Sequence, residues 1–370
     1  MAADFLTQLA QISFDPGLTE VGYTEHVGIT VYDITYGVNK FNPVTNPGFF
    51  GAFQPEVNRI GASWVEMGFT GELRGFKAYS TSPSTLYDPP PEGRLLTAMG
   101  FNRASAVQSP SPIFAYILGD MHLATDTVHT SGVLAPLDLM LDVDSYYRGM
   151  KDGVGTAILT FDAEAGPPTL ACTFRGGFYE DETSPTPVVY KYPQTDIPAD
   201  WTSTIPKYRG KVAQTCLNEG LTLQVIPNDG TYTPVTIAGV ELRSLAYDIG
   251  NIIAPTPNVG ATYGFSQTLL GKRIPDILLK IRTLDPGTKA APSTFNIEKI
   301  ADDASLLSLS LTHGSGDQNA IATAFDAYIS DIIDYEEDSN GLFVATLKCQ
   351  QALKDPNGTT DSQALQITFT

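Results

Sequence analysis

The chain has 370 residues and a formal net charge of −19, from 41 acidic and 22 basic residues. This balance repels DNA and anionic lipid, which argues against a conventional nucleic-acid-binding or membrane-surface protein. Hydrophobic residues make up 42% of the chain, and 26 prolines and 33 glycines interrupt short runs rich in Val, Ile, Thr, Tyr and Phe. The composition indicates a folded, mainly β protein with many turns and room for two domains.

Cysteine usage and the first residues bear on where the protein is made. Cys172, Cys216 and Cys349 are an odd number in no CxxC arrangement, which favours buried thiols over a disulfide framework. The opening MAADFLTQLAQISFD lacks the basic start and long apolar run of a signal peptide. We therefore expect synthesis in a cytoplasm, with the protein either staying there or being built into a particle there.

The first clear elements along the chain are a strand and a short helix. Within 65–74, apolar Val65, Met67, Phe69 and Leu73 alternate with polar residues, as in a half-buried strand. Prolines in 87–92 prevent strand continuation, and the composition of 91–99 predicts a helix. Further alternation predicts strands around these residues: Leu137, Leu139 and Leu141; Ala157, Leu159 and Phe161; Leu170, Cys172 and Phe174.

After the Pro- and Thr-rich segment 179–210, which is typical of a linker, the same pattern begins again. Tyr32-Asp33-Ile34 recurs as Tyr247-Asp248-Ile249, and helix 91–99 has a counterpart at 296–303. Three strand matches follow in the same order: the strand ending at 74 with that ending at 282, 137–141 with 307–311, and 170–175 with 343–348. The co-linear series predicts an internal duplication.

One segment is ambiguous when taken alone. Ile321, Phe325, Ile329 and Ile333 recur every four residues, which indicates a helix. Its counterpart in the first half, 151–161, is glycine-rich and alternating. The duplication therefore predicts a strand over 327–333.

Catalytic and metal-binding patterns are weak in this sequence. The four histidines have neither HExxH nor a paired ligand spacing: His26, His122, His129 and His313. Asp120, His122 and Asp126 could form a catalytic or metal-binding set, but a polar turn explains them more simply. The acidic stretch 335–341 could bind a cation or be an ordinary hairpin turn. The sequence therefore predicts no enzyme, no cofactor and no metal site.

Several short runs resemble the corresponding stretches of bacteriophage tail tube proteins. They are FTGELRG (69–75) followed by LLTAMGF (95–101), GTAILTF (155–161) followed by LACTFRGGF (170–178), and LAYDIGN (245–251). The resemblance covers roughly 60–350 in order. It implies a virion protein, a tail tube subunit that self-assembles into stacked rings around a channel for viral DNA.

The resemblance also implies a fold: two tandem β-sandwich or half-barrel domains of tail tube type, each with one short helix. The expected divisions are an N-terminal segment 1–20, a first domain 20–185, a linker 186–211, a second domain 212–352, and a C-terminal segment 353–370 that holds a strand. Rings of this family present six equivalent β units. A chain that supplies two units would close a ring of three chains with pseudo-six-fold symmetry.

Two loops carry the aromatic residues that this resemblance assigns to ring stacking. They span 37–62 and 250–275, and the aromatic residues are Phe41, Phe49, Phe50, Phe53, Tyr263 and Phe265. So many aromatic side chains are too apolar for a solvated loop unless another surface covers them. The alternative is a loop that folds back on its own core.

The acidic balance fits either an ordinary solvated surface or a channel wall past which nucleic acid slides without sticking. Alternation places polar side chains opposite the apolar face, and the candidates for a channel lining are Glu66, Thr70, Glu72, Asp162 and Glu164. An outer solvent face fits the same alternation.

The expected partners are further copies of this chain and other tail proteins, namely the tape measure, tail terminator and distal tail proteins. Viral DNA would pass without specific binding, and no membrane is involved. One alternative is another virion component, such as a distal tail, sheath or decoration protein. A β-sandwich hydrolase or carbohydrate-binding module is a further alternative, but Trp64 and Trp201 are the only tryptophans available for a sugar-binding cleft.

Overall fold

A computed structural model describes the protein over part of its length. The described residues are 11–14, 27–39, 43–44, 59–60, 64–73, 90–107, 113–118, 136–143, 146–163, 166–181, 188–190, 218–230, 232–237, 240–257, 265–283, 296–314, 321–337, 343–352 and 364–369. They form antiparallel β-sheet with two short helices, which confirms the mainly β prediction.

The first half of the chain contains twelve strands and one helix within the described residues. They are β1 (Gln11–Phe14), β2 (Val27–Thr30), β3 (Tyr32–Asn39), β4 (Pro43–Val44), β5 (Arg59–Ile60), β6 (Trp64–Glu72), α1 (Pro91–Thr97), β7 (Phe101–Val107), β8 (Ile113–Leu118), β9 (Leu137–Val143), β10 (Tyr146–Asp162), β11 (Thr169–Asp181) and β12 (Val188–Tyr190).

The second half runs from β13 to β21, and β22 follows it. These elements are β13 (Asn218–Ile226), β14 (Val235–Thr236), β15 (Val240–Asp248), β16 (Asn251–Pro257), β17 (Phe265–Arg273), β18 (Asp276–Thr283), α2 (Ile297–Asp302), β19 (Leu306–His313), β20 (Ile321–Glu337), β21 (Phe343–Gln351) and β22 (Gln366–Phe369).

Both predicted helices exist, within two residues of their expected ends. Pro91 opens α1, where its missing N–H is not needed, and Glu92 follows in the first turn. Asn296 caps α2, with its side chain accepting a 3.0 Å hydrogen bond from the Lys299 amide. Each helix therefore begins where local chemistry satisfies or removes exposed backbone donors.

The two halves share one strand-pairing order. In the first half the neighbours run β1, β9, β10, β11, β6, β3, and in the second half β13, β19, β20, β21, β18, β15. β2 pairs with β1 just as β14 pairs with β13. The hairpins β4–β5 and β16–β17 occupy the same place in the chain order, between the third and fourth strands of this set.

Four of the described strands fall outside this repeated set. The β7–β8 hairpin lies between α1 and β9, and β22 pairs with both β8 and β20, so it joins the two halves. β12 lies within the predicted linker 186–211 and pairs with β11. That part of the predicted linker is therefore strand, because Val188 and Val189 extend the hairpin that follows β11.

Strand registers show which positions in the halves are equivalent. Across β6, β11 and β10 the register aligns two rows of residues: Gly71, Leu170 and Leu159, then Phe69, Cys172 and Ala157. Across β18, β21 and β20 the matching rows are Leu279, Leu347 and Ile332, then Ile277, Cys349 and Ile329. Cys172 therefore corresponds to Cys349. With the strands ending at 74 and 282 as the anchor, these rows lie four residues away from the sequence match of 170–175 with 343–348. Alternating strands match equally well at any even shift, so the sequence alone does not choose between the two alignments.

The ambiguous segment is strand throughout. β20 covers Ile321–Glu337, and Ile321, Phe325 and Ile329 are buried on its inner face with Thr323 and Ala327. The prediction of a strand over 327–333 is confirmed. A single large apolar cluster contains residues from both halves, so the sheets share one core.

Candidate assembly interface

The two halves join edge to edge along β10 and β15. The register runs from Ile158 opposite Asp248 to Asp162 opposite Ser244. At one end the Ile249 amide donates to the Ala157 carbonyl (3.0 Å), and at the other the Ala163 amide donates to the Arg243 carbonyl (2.9 Å). We call this the internal seam.

Phe161 carries the apolar part of the internal seam. Its ring stacks on that of His313, at the end of β19 in the other half, with centroids 4.3 Å apart and 12° between the planes. Phe161 is only 2% exposed because the second half covers it. Burial lowers the pKa of His313 to about 4, and neither ring nitrogen has a hydrogen-bond partner among the described residues.

The β16–β17 hairpin adds a polar contact between the halves. The Asn251 side chain donates to the carbonyls of Met99 (2.8 Å) and Gly155 (2.9 Å), and it accepts from Arg273 Nε (2.9 Å). Ile253 and Leu270 pack on Val154 in a small separate cluster. The base of the loop predicted to stack rings, 250–275, therefore lies against the first half of its own chain.

β20 keeps part of one edge open. β19 pairs with Ile321 to Tyr328 on one side, and β21 pairs from Ala327 to Glu337 on the other. Beyond Tyr328, no strand in the described part of the chain pairs on the β19 side. Ile333 (52% exposed) and Tyr335 (46% exposed) lie in this open stretch.

β3 keeps an open edge as well. It pairs with β6 from Tyr32 to Asn39, and no described strand pairs on its other side. Its counterpart β15 pairs with β18 on one side and with β10 on the other. The internal seam thus joins two edges whose counterparts, on β20 and β3, are both open in the described residues.

The predicted channel-lining residues lie at half-buried positions on the outward face of the sheet, opposite the core. Glu66, Thr70 and Glu72 do so on β6, and Asp162 does so at the end of β10. Glu164 lies outside the described residues. Glu66 accepts a 2.8 Å charged hydrogen bond from Arg175 on the neighbouring strand.

Other cations of these strands also pair with acids. Three further pairs are Lys280 with Glu336 (2.6 Å), Arg282 with Glu241 (3.5 Å) and Lys348 with Asp276 (3.0 Å). These basic side chains are therefore partly neutralised, although screening by water makes each exposed pair a weak contributor to stability.

The aromatic residues assigned to ring stacking fall mostly outside the described residues. This holds for Phe41, Phe49, Phe50, Phe53 and Tyr263. Phe265 opens β17, opposite Pro257.

A shallow groove on the outward face is lined by Asp33, Asp248 and small or apolar residues, with four threonines and neither tryptophan nor tyrosine. The described residues hold no group of His, Cys, Asp and Glu suited to a metal ion.

Sequence reasoning missed the internal seam, the open edges and the Asn251–Arg273 contact. The sequence did single out one strand of the seam, because the repeated motif Tyr247-Asp248-Ile249 lies at the end of β15, which pairs with β10. The Asn251–Arg273 contact depends on a long-range approach to Met99 that no local pattern encodes.

Within the described ranges, no helix combines the length and apolar character needed to cross a bilayer. The chain matches no protein-family model and no curated protein.

Proposed function

We propose that this protein is a structural subunit of a bacteriophage tail tube, assembling with copies of itself into stacked rings, and that it is not an enzyme. One observation carries the proposal. The chain contains two sets of strands with the same pairing order, and these two sets are already joined edge to edge at the internal seam. In the proposed ring, this pair would supply two consecutive units of a circle of like units.

Ring closure would need three chains if six units complete the circle. Duplex DNA is about 20 Å wide, and the diameter of a closed barrel grows with its strand number, so a channel for DNA needs many strands. Linking two units in one chain raises the effective concentration of the second unit, which reduces the number of encounters needed to close each ring.

The net charge of −19 supports passage of DNA without binding. The pairing of Arg175 with Glu66, and of Lys348 with Asp276, partly neutralises these two cations and weakens their attraction for a phosphate backbone. If the outward face lines the channel, the resulting wall attracts nucleic acid weakly.

Concentration-dependent assembly tests the proposal. Sedimentation velocity across a concentration series should show discrete ring species, and negative-stain images at high concentration should show tubes. Class averages of end-on views should have three-fold symmetry with six similar lobes. A protein that stays monomeric at high concentration and in high salt would refute the proposal, and rings of six chains would refute the two-unit interpretation.

Ring stacking is tested separately by deleting Phe49 to Phe53. If this loop joins successive rings, the variant should form single rings and no tubes. Tubes of normal length from the variant would exclude that role for the loop while leaving ring formation unaffected.

The alternatives make different predictions. A distal tail, sheath or decoration protein would form rings or clusters without extending into long tubes by itself. A carbohydrate-binding module would bind soluble glycans as a monomer, and the outward groove offers it no Trp or Tyr for stacking on a sugar.

A further inference from the structure

We propose that the open edge of β20 pairs with the open edge of β3 in a second copy of this chain, with Tyr335 packing against that copy as Phe161 packs on His313. This inference rests on the proposed self-assembly and specifies the contact that would produce it.

The register identifies Tyr335 as the counterpart of Phe161. In the first half, Thr160 lies opposite Thr169, one row beyond the pair Leu159 and Leu170. In the second half, Asp334 lies opposite Thr346, one row beyond the pair Ile332 and Leu347. The next residues along the strands are Phe161 and Tyr335. Both are aromatic and follow equivalent positions.

The two aromatic residues differ sharply in their surroundings. Phe161 is 2% exposed because the second half covers it, whereas Tyr335 is 46% exposed and its hydroxyl reaches Glu298 at 3.5 Å. Ile333 beside it is also exposed. Large apolar side chains next to an unpaired strand edge are a hazard for a monomer, and a second copy that pairs with the edge would cover both.

The receiving edge on β3 is identified by the same rows. Ala246 on β15 lies opposite Leu278, which lies opposite Lys348. The equivalent row in the first half is Tyr32, Thr70 and Ala171. In these rows Tyr32 corresponds to Ala246, which faces Thr160 across the internal seam. This is one residue from the sequence match of Tyr32 with Tyr247, and a bulge between Tyr32 and Thr35 interrupts the register there.

The new contact would be head to tail, because it uses two different edges. A head-to-tail contact repeats until a ring closes or a filament grows. If the contact between copies has the geometry of the internal seam, each unit is rotated by the same angle relative to its neighbour. All contacts around the ring would then be alike.

The internal seam also shows which facing residues accept a disulfide. Its backbone hydrogen bonds link Ile249 to Ala157 and Ala163 to Arg243, and such bonded pairs alternate with non-bonded pairs in antiparallel sheet. Thr160 and Ala246 form one of the non-bonded pairs, whose Cβ atoms lie close enough for a disulfide. The corresponding pair between copies is Asp334 with Tyr32.

Paired cysteines test the contact in full-length protein that carries Cys216→Ser. Tyr32→Cys with Asp334→Cys should give, on mild oxidation, a ladder of covalent multimers that ends at the closed ring. Thr160→Cys with Ala246→Cys is the matched control and should form its disulfide within one chain. Each single variant, and a displaced pair with Asp302→Cys in place of Asp334→Cys, should give no ladder.

Failure of this contact is distinguishable from failure of the proposed function. If rings form but the Tyr32–Asp334 pair stays unlinked while the control pair closes, the contact is wrong and self-assembly stands. If the displaced pair gives the same ladder, collision explains the cross-links and the contact is also wrong. If the unmodified protein never assembles, both proposals fall.

Tyr335→Ala tests the packing without cysteines. The side chain is exposed in the single chain, so the fold should tolerate its removal, while the concentration needed for assembly should rise about tenfold or more. Tyr335→Phe should assemble normally. Leu278→Ala, which trims a side chain of similar exposure (40%) on the outward face, is the control and should change assembly less than about twofold. Equal effects of Tyr335→Ala and Leu278→Ala would overturn the proposed packing.

Discussion

Replacing His313 by phenylalanine should make the protein more stable and less sensitive to acid. The pKa of this buried imidazole falls from its ordinary 6.5 to about 4, because burial penalises the charged ring. Between these values the unfolded chain binds a proton that the folded chain does not, so stability is present above pH 6.5 and is lost as the pH falls towards 4. At about 1.4 kcal/mol per pKa unit, the full loss is about 3 kcal/mol.

The His313→Phe variant keeps a ring against Phe161 and removes two ring nitrogens that have no partner among the described residues. We expect a gain of about 1 to 2 kcal/mol at pH 7.5. The gain over the parent should grow by about 2 to 3 kcal/mol at pH 4.5. Urea unfolding at dilute protein concentration, followed by fluorescence at several pH values, measures both quantities.

Thr323→Val is the matched control for this experiment. Thr323 is fully buried on β20, and its hydroxyl also lacks a partner among the described residues, but it does not titrate. Its replacement should stabilise the protein by about 1 kcal/mol at every pH. Parallel stability curves for the parent and His313→Phe would show that the imidazole titrates normally in the folded protein and would refute the reasoning.

Three further outcomes are expected from the described residues. Gly250→Ala should destabilise the protein by about 2 kcal/mol or more, because φ is +67° and a Cβ would overlap a backbone carbonyl; Gly230→Ala, with φ of +84° and open space, should cost only about 1 kcal/mol in thermal melts. Asn251→Ala should cost about 2 to 3 kcal/mol in urea unfolding, since the Gly155 carbonyl loses its bond from Asn251 and the Met99 carbonyl keeps only the longer bond from Arg273 Nη2 (3.3 Å). Cys172 and Cys349 are buried with raised pKa values, about 12 for Cys349, so peptide mapping after maleimide treatment should find both unmodified until the protein unfolds.

The sequence predicted well the features that depend on local patterns. Alternation identified the inner face of β6. Helical composition after the prolines located α1, and the internal repeat located α2, both to within two residues. The order of elements in the duplication also follows from local patterns read in series. The residue-by-residue alignment of equivalent strands in the two halves could not be predicted from local patterns. A shift of four residues leaves the alternation of Leu170 and Cys172 unchanged.

The candidate interface was harder to predict, because it depends on which strands meet. No local pattern shows that β15 pairs with β10 on its second edge, whereas β3 has no described strand there. Nor does any local pattern show that Asn251 reaches Met99 in the other half. The burial of Phe161 and the exposure of Tyr335 follow only from that pairing. Alternation in the sequence shows which face of a strand is buried. Assembly through sheet edges depends instead on whether the backbone hydrogen-bonding groups along each edge are paired.

Residues at the open edge of β20 are more polar than the residues at the equivalent positions of the internal seam. Ile158, Thr160 and Phe161 at the internal seam correspond to Asp331, Asp334 and Tyr335 at the open edge. The internal seam forms as the chain folds, so its strand edges are already paired in the folded molecule. The open edge is solvated in every free subunit, and carboxylates there discourage premature pairing, while a tyrosine can be solvated through its hydroxyl and still present an apolar ring. Tyr335 places an aromatic ring at the edge position where Phe161 is covered in the internal seam, which favours an edge that is covered in assembly.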